Sequence, residues 1–264
     1  MVRSLWTAAT GMNGQQTNID AISNNLSNVN TTGYKQQRAE FEDLIYQNVK
    51  LAGTPATEDT VTPVGIQQGA GVKLASTQRI MSQGSLQNTN VDTDLAIVGE
   101  GFFRVQQYDG SYAYTRDGSF KVDSNGQLVT SNGLRVMPEI ILPEGYNVST
   151  LNVTQSGLVS VKVNGGNDPV EVGQIEIYRF PNAVGLQAEG DNLFTVTNAS
   201  GEAIAGRPGY DGFGKTHHKF LEMSNVSVVN EMVQMIVAQR AYEFNSKAVQ
   251  TSDSMLSTAV NLKR

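Results

Sequence analysis

Cysteine is absent from this 264-residue chain, and the sequence contains only two histidines and one tryptophan. Without thiols the chain cannot form a disulfide framework, a thiolate zinc site or a cysteine nucleophile. Basic residues number 19 against 25 acidic ones, which gives a net charge of −6. Because no basic stripe offsets this acidic balance, we do not expect nucleic acid as a partner.

Long apolar runs are also missing. No segment approaches the run of about 20 apolar residues that a transmembrane helix needs, so we expect no membrane insertion. The basic start around Arg3 is followed by Thr10, Gly11 and Asn13, which interrupt the apolar core of a cleaved signal peptide. We therefore expect any export of the protein to leave its N-terminus intact.

Both ends of the chain instead carry apolar residues at heptad spacing, the pattern of a coiled-coil seam. The front pattern predicts a helix that reaches Val29 and ends in the turn Asn30–Gly33. The predicted seam residues are Leu5, Met12, Ile19, Ile22, Leu26 and Val29 at the front, and Val228, Met232, Met235, Tyr242, Val249 and Leu256 at the back.

The remaining surface of these two helices has few charges. Asp20 is the only charged residue between Met12 and Tyr34, and Asp253 is the only one between residues 248 and 262. A helix that faces water normally shows glutamate and lysine. We therefore expect both helices to be buried by other copies of the chain; the alternative is one antiparallel helix pair within a monomer.

The segment after the first helix changes character. A short second helix is predicted over Arg38 to Val49. The following residues, with Pro55, Pro63 and several glycines, have no helical period and predict an extended connector over residues 46–71.

The middle of the chain is typical of short β-strands separated by turns. Asp109-Gly110, Asp117-Gly118, Asn125-Gly126 and Asn132-Gly133 tolerate the backbone of tight hairpins, so a meander is the simplest prediction. A further turn is predicted at Asn164–Asn167. The candidate strands are Phe102–Val105, Tyr112–Thr115, Phe120–Val122, Leu128–Thr130, Val159–Val163, Gln174–Phe180 and Leu193–Val196.

Together these patterns predict an α+β fold in which the terminal helices flank an inserted, mainly antiparallel β domain. The predicted domains are a helical one (residues 1–45 and 220–264), the connector (46–71) and a β-rich one (72–219). Because the β-rich domain is continuous in sequence, we expect it to fold alone.

One segment matches the phosphate-binding P-loop pattern, Gly209–Thr216. A working P-loop needs a buried strand before it and a helix that begins at its lysine, here Lys215. Gly206–Pro208 precede the motif, and the terminal helix is predicted to begin only after Ser224. We therefore predict a plain loop and no cofactor, and an enzyme hypothesis would rest almost wholly on this motif.

The two histidines, His217 and His218, are adjacent in the sequence. Neighbouring residues of an extended segment point to opposite sides, which is poor geometry for sharing one metal ion. We predict that both are surface loop residues and that the chain has no metal site.

Several segments resemble bacterial flagellar rod and hook proteins. Leu26–Lys35 and Val237–Ala248 are similar to the terminal signatures of that family, and the length, Asn182–Leu186 and Leu221–Val226 are most similar to its distal-rod branch. The resemblance covers essentially the whole chain. The segments similar to the family's β domain are Gly84–Leu86, Asp94–Ile97, Gly99–Phe103 and Tyr114–Phe120.

The resemblance implies a structural subunit of the flagellar basal body, not an enzyme. Such subunits are exported without a cleaved signal and polymerise into a helical tube that transmits torque from motor to hook. The helices line the export channel and the β domain lies outside. The implied partners are other copies, proximal rod and hook subunits, surrounding ring proteins and the export apparatus.

Two further hypotheses follow. Gln47 to Gly69 is predicted to lie against neighbouring subunits and to restrain their sliding, with Pro55 and Pro63 limiting its freedom. The alternative function is an oligomeric β domain that binds a ligand or a surface.

Overall fold

The computed structural model describes residues 2–53, 55–57, 60–61, 63–143, 145–146, 148–163 and 168–261. Two long helices enclose a series of short, antiparallel strands in the chain order, which confirms the predicted α+β class. The predicted turn Asn164–Asn167 lies outside the described residues, as does the side chain of Pro55.

The chain divides into two compact units. The first unit contains Met1–Ser27, Gln37–Gln78 and Ser227–Arg264, and the second contains Asn28–Gln36 and Arg79–Val226. Neither helix in the described part of the chain combines the length and apolarity needed to cross a bilayer.

The first unit holds both helices and the first six strands, which form three two-stranded sheets: β1 with β6, β2 with β5, and β3 with β4. Its elements are α1 Val2–Ser27, β1 Gln37–Asp43, β2 Gln47–Lys50, β3 Pro55–Thr57, β4 Thr60–Val61, β5 Ile66–Gln68, β6 Val72–Arg79 and α2 Val228–Asn261.

The predicted helix over Arg38 to Val49 is wrong, because this segment forms β1 and β2. Pairing of β1 with β6, more than thirty residues away, supplies hydrogen bonds that a local pattern cannot reveal. Ala39 of β1 is buried, and a Cβ atom at Gly14 of α1 would lie 3.4 Å from the ring of Phe41. The strand therefore packs against α1.

Helix α1 ends at Ser27, two residues before the predicted end, and Val29 lies in the turn that follows. The predicted turn chemistry is present at Gly33, whose φ of +67° favours glycine. A Cβ atom there would lie 2.6 Å from the backbone nitrogen of Asp117, so the close approach also requires glycine.

The second unit contains sixteen strands and two short 3₁₀ helices, Val148–Thr150 and Ala183–Gly185. Its strands are β7 Leu86–Asn88, β8 Leu95–Val98, β9 Phe103–Gln106, β10 Tyr112–Thr115, β11 Lys121–Val122, β12 Leu128–Val129, β13 Arg135–Met137, β14 Asn152–Val153, β15 Leu158–Val161, β16 Val170–Gln174, β17 Ile177–Arg179, β18 Gln187–Gly190, β19 Leu193–Thr195, β20 Ile204–Gly206, β21 Lys215–His218 and β22 Phe220–Glu222.

A seven-stranded sheet in the order β11-β12-β13-β9-β10-β19-β18 is the largest layer of this unit. A three-stranded sheet, β14-β15-β16, and the pairs β17-β20, β21-β8 and β22-β7 complete it. Apart from Gln174–Phe180, which is divided between the end of β16 and the separate strand β17, the predicted strands occur within one or two residues of their predicted bounds.

The meander prediction is only partly right. Asp109-Gly110, Asn125-Gly126 and Asn132-Gly133 do join hairpin partners, but the strand after Asp117-Gly118 does not pair with β10. Gly118 is instead required by a close contact, since a Cβ atom there would lie 1.6 Å from the carbonyl oxygen of Leu95. Strand β10 pairs with β19, almost eighty residues later in the chain.

Two apolar clusters lie within the second unit. The larger one contains buried residues of both the seven-stranded and the three-stranded sheet, such as Phe103 and Val159, together with Phe120. The smaller one is aromatic, and its edge-to-face ring contacts include Tyr114 with Phe180 at 4.8 Å between ring centroids.

Candidate assembly surface

The two helices of the first unit pack against each other in an antiparallel pair. Ser4 Oγ lies 3.3 Å from Ser252 Oγ near one end, and Asn25 Nδ2 donates to Glu231 Oε2 at 3.1 Å near the other. A Cβ atom at Gly11 would lie 2.8 Å from Asn245 Nδ2, so the helices touch closely between these points. The chain thus contains the intramolecular pair that the sequence left open as an alternative.

Asn25 joins α1, α2 and β1 through its amide group. Its Nδ2 donates to the carbonyl oxygen of Gln37 and its Oδ1 accepts from the Gln37 backbone N–H, both at 2.8 Å. Asn25 and Glu231 are 1% and 0% exposed. The many asparagines of α1 predicted hydrogen-bonded packing. No sequence pattern predicted that Glu231, in the first turn of α2, would be buried beside one of them.

The predicted seam residues occupy different environments in this helix pair. Ile22 is buried, whereas Val228, Met232 and Tyr242 are 39%, 53% and 38% exposed. The other eight, which are partly buried, are Leu5, Met12, Ile19, Leu26, Val29, Met235, Val249 and Leu256. Their role in self-assembly remains a prediction.

A second apolar face of α2 points away from α1, and we call it the outer stripe. Its residues are Val229, Met232, Val233, Ile236, Val237 and Phe244, which are 53–72% exposed. They cover an arc of about 140° on a helical wheel. Val229 and the buried Ala238 differ by nine residues, or about two and a half turns, so the stripe lies opposite the α1 contact.

The connector contains an antiparallel hairpin, β2 with β5, beside the start of α1. Arg3 Nη1 donates to Gln68 Oε1 at 2.7 Å, and Arg3 Nη2 donates to Gln47 Oε1. Apolar side chains are nevertheless exposed around it, with Ile45 at 90% and Val64 at 75%, and Pro63 is also exposed. The hairpin therefore contacts its own chain and presents further apolar surface to solvent.

The second unit contains a buried ionic cluster that the sequence did not predict. Glu222 Oε1 accepts from Lys35 Nζ at 2.6 Å and from the backbone N–H of Gly84 at 2.9 Å, while Arg116 Nη1 donates to Glu222 Oε2 at 3.2 Å. Lys35 Nζ also donates to the carbonyl oxygen of Ser82 at 2.7 Å. The three charged side chains are at most 5% exposed.

Burial dominates the electrostatics of this cluster. Desolvation lowers the pKa of Lys35 and of Arg116, and the Glu222 carboxylate opposes both effects. Each residue lies in a different segment that carried the family resemblance: Leu26–Lys35, Tyr114–Phe120 and Leu221–Val226. The only signal in the sequence was that each of these three motifs contains a charged residue.

The P-loop match lacks a P-loop's structure. Strand β20 before it is exposed or half-buried, and Lys215 begins strand β21, which pairs with β8. Lys215 therefore begins a strand and not a helix, as predicted. A P-loop binds phosphate at the N-terminus of a helix, which this lysine does not begin.

The prediction that the histidines lie in a surface loop is wrong, because both belong to β21 and are half-buried. His218 Nε2 lies 2.7 Å from the carbonyl oxygen of Asp92, and the His217 ring contacts Phe220 edge to face. In the described part of the chain, no three histidine or acidic side chains are grouped to hold a metal ion.

Matches to three family models cover both terminal segments and part of the β unit. Residues 5–35 match the flagella basal body rod protein model, residues 96–161 match the D1 domain of the flagellar hook protein FlgE/F/G, and residues 217–262 match the C-terminal region of the flagellar basal body rod FlgEFG protein. The fold and these matches define a flagellar rod and hook type of structural protein.

Full-length similarity then narrows the family. The chain is 60% identical to the flagellar basal-body rod protein FlgG of Borreliella burgdorferi, with both chains fully covered. It is 45% identical to the FlgG of Caulobacter vibrioides, over 99% of this chain and all of the relative, and 40% identical to that of Bacillus subtilis over both full lengths. The chain therefore belongs to the flagellar basal-body rod protein FlgG family, and it is a structural component of the flagellar basal body.

Proposed function

We propose that this chain polymerises into the helical tube of the distal rod, which transmits torque from motor to hook and encloses the export channel. The outer stripe of α2 is the observation that carries this proposal. Six apolar side chains more than half exposed on one helix face exceed the scattered apolar residues of an ordinary monomer surface.

The outer stripe would be covered by helices of neighbouring copies. Burial of one such side chain contributes about 1.5–3 kcal/mol, so a few of them can offset the cost of association. A surface on one copy that meets a different surface on the next generates an open helical polymer when the rotation does not close. In this arrangement the helices are the inner layer and the β-rich domain is the outer one.

The helix pair within the chain and the contacts between copies then use different faces of α2. The face of α2 that contacts α1 is rich in small and polar groups, such as Ala238, Asn245 and Ser252, and the opposite face of α2 is apolar. This division supports a polymer whose subunits keep their own helix pair. It also revises the expectation that other copies bury both sides of each helix.

The wider partners are proximal rod and hook subunits at the two ends of the tube, surrounding ring proteins, and the export apparatus. The connector hairpin remains the proposed restraint on sliding between copies. Arg3 holds the hairpin to its own chain, while exposed apolar side chains in it and just before it are available to a neighbour. These are Ile45, Val49, Leu51, Val64 and Ile66.

Electron microscopy and sedimentation of concentrated full-length protein test the proposal. We expect wild-type protein to form straight tubes and the double variant Val233→Lys, Ile236→Lys to remain dispersed. Gln234→Lys is the matched control, because it adds a charge to an exposed position between these residues but lies to one side of the stripe. Equal assembly by the double variant and the control would contradict the proposal.

A further inference from the structure

Arg104, on the central strand β9 of the seven-stranded sheet, lies between two tyrosine rings. Its guanidinium carbon is 4.6 Å from the ring centroid of Tyr112 and 4.4 Å from that of Tyr178. Tyr112 lies opposite Gln106 and Tyr178 opposite Phe102, so the rings approach Arg104 from the two ends of its strand. The guanidinium is thus held by stacking on aromatic faces.

Among the residues that the structure describes, this cation has no anionic partner. Arg104 makes no ion pair with any described residue, and its buried Nε atom has no hydrogen-bond partner among them. Arg116 is the other described residue whose buried Nε has no hydrogen-bond partner, but its Nη1 is paired with Glu222. A buried polar atom without a partner is uncommon in proteins, and Arg104 combines one with the lack of an ion pair among the described residues.

Glu176, the carboxylate bonded to Tyr178, already accepts a hydrogen bond. Its Oε2 accepts a hydrogen bond from Tyr178 Oη at 2.8 Å. Burial, the largest effect, raises the pKa of the Tyr178 phenol, which keeps the phenol protonated as the donor in this bond. Tyr112 is 43% exposed and Arg104 itself is half-buried, so part of this pair of side chains faces solvent.

We propose that Arg104, Tyr112 and Tyr178 form a binding site for a carboxylate, which we call the arginine clamp. With a ring on each side, the approach to the guanidinium is along its edge, where the N–H donors point. Two parallel N–H donors match the two oxygens of a planar carboxylate, and a single ammonium cannot reproduce this geometry. Stacking fixes the side chain in advance, which reduces the entropy lost on binding.

A titration with sodium acetate at constant ionic strength tests the site in the full-length chain. The Arg104 Nε–Hε resonance is followed by nuclear magnetic resonance in protein kept below the concentration at which it assembles. We expect a saturable shift of this resonance. We also expect Arg104→Lys, which keeps the charge but loses the two parallel N–H donors, to weaken acetate binding at least about tenfold. The affinity of this variant is measured from the backbone amides around β9.

Arg135→Lys is the matched control. Arg135 lies on the adjacent strand β13, opposite Gln106, but its guanidinium is paired with Glu139 at 3.6 Å. We expect this variant to bind acetate as the wild type does. An Arg104 resonance that responds no more than that of Arg135, or equal acetate affinities of Arg104→Lys and wild type, would overturn the proposal.

A dilution series without acetate identifies the source of the carboxylate. A shift of the Arg104 resonance with protein concentration, absent when acetate saturates the site, would assign it to an acidic side chain of another copy. A resonance that responds to acetate but not to dilution would assign it to a separate carboxylate ligand. Both outcomes support the site, and neither depends on tube formation.

Discussion

Lys35 Nζ and Glu222 Oε1 lie 2.6 Å apart, although 187 residues separate them in the sequence, and both side chains are almost completely buried. The backbone reinforces this link, because the N–H of Gly33 donates to the carbonyl oxygen of Glu222 at 2.8 Å. The second unit therefore includes residues from outside the β-rich domain that was predicted over residues 72–219. Residues 28–36 and 220–226 take part in its buried interactions.

Replacement of Glu222 by glutamine should strongly destabilise the second unit. The variant leaves the Lys35 and Arg116 charges buried without their carboxylate, and removal of one partner of a buried ion pair costs about 3–5 kcal/mol. Urea unfolding followed by far-UV circular dichroism measures the change. Glu139→Gln, which removes the exposed partner of Arg135, should change the free energy of unfolding by no more than about 0.5 kcal/mol. Similar losses in both variants would contradict this account.

Asp94 should make stability depend on pH in the acid range. Burial, the largest effect, raises its pKa in the folded state, although Thr89 Oγ1 donates to Asp94 Oδ2 at 2.6 Å. Between the ordinary aspartate pKa and this raised value, the folded state binds more protons than the unfolded state. The contribution of Asp94 to stability therefore falls as pH rises through that window and is constant above it.

The variant Asp94→Asn tests the direction of this pH dependence. The free energy of unfolding of the variant relative to wild type should increase as pH rises through the window and then level off. Urea unfolding at a series of pH values measures it, with Asp123→Asn, in an exposed turn, as the control. A difference between Asp94→Asn and wild type that stayed constant with pH would show that Asp94 has no raised pKa.

Gly118→Ala should be more damaging than an ordinary glycine substitution. The new methyl group would collide with the carbonyl oxygen of Leu95, and overpacking of a well-packed site costs about 1–3 kcal/mol or more. Gly173→Ala is the control, because a Cβ atom there would meet Ile140 Cγ1 at an ordinary 3.6 Å. Thermal unfolding measures the melting temperatures of both variants, and we expect that of Gly118→Ala to be the lower. Equal melting temperatures would count against the close contact.

Asn25→Asp should destabilise the first unit. Aspartate cannot donate to the Gln37 carbonyl oxygen, and it would place a second carboxylate beside Glu231. Leaving a buried group unsatisfied costs about 1–3 kcal/mol. Asn13→Asp, at an exposed position of α1, is the control. The free energy of unfolding of each variant, measured in urea, should separate them; indistinguishable values would argue against the amide contact.

Local patterns predicted those elements whose signals are local. The strand Tyr112–Thr115 is observed with its predicted bounds, because its two tyrosines and the preceding hairpin turn at Asp109-Gly110 specify it within a few residues. Both terminal helices were also evident from their periodicity. The segment from Arg38 was mistaken for helix because its strand partner, β6, lies far along the chain.

The site was harder to predict than the fold. Heptad spacing located both helices, but it could not assign faces: Met232 lies in the exposed outer stripe, whereas Glu231 is buried beside Asn25. The ionic cluster joins three motifs whose proximity depends on long-range folding. The sequence contained every residue of these contacts, but only the tertiary structure brings them together.

A helical reconstruction of the assembled protein by electron cryomicroscopy tests the central claim most directly. The measured quantity is the exposed fraction of the Val233 and Ile236 side chains, both 56% exposed in the isolated chain. The account predicts that helices of neighbouring copies bury both side chains while the Asn25–Glu231 contact within each copy persists. A tube in which the outer stripe remained open to solvent would contradict it.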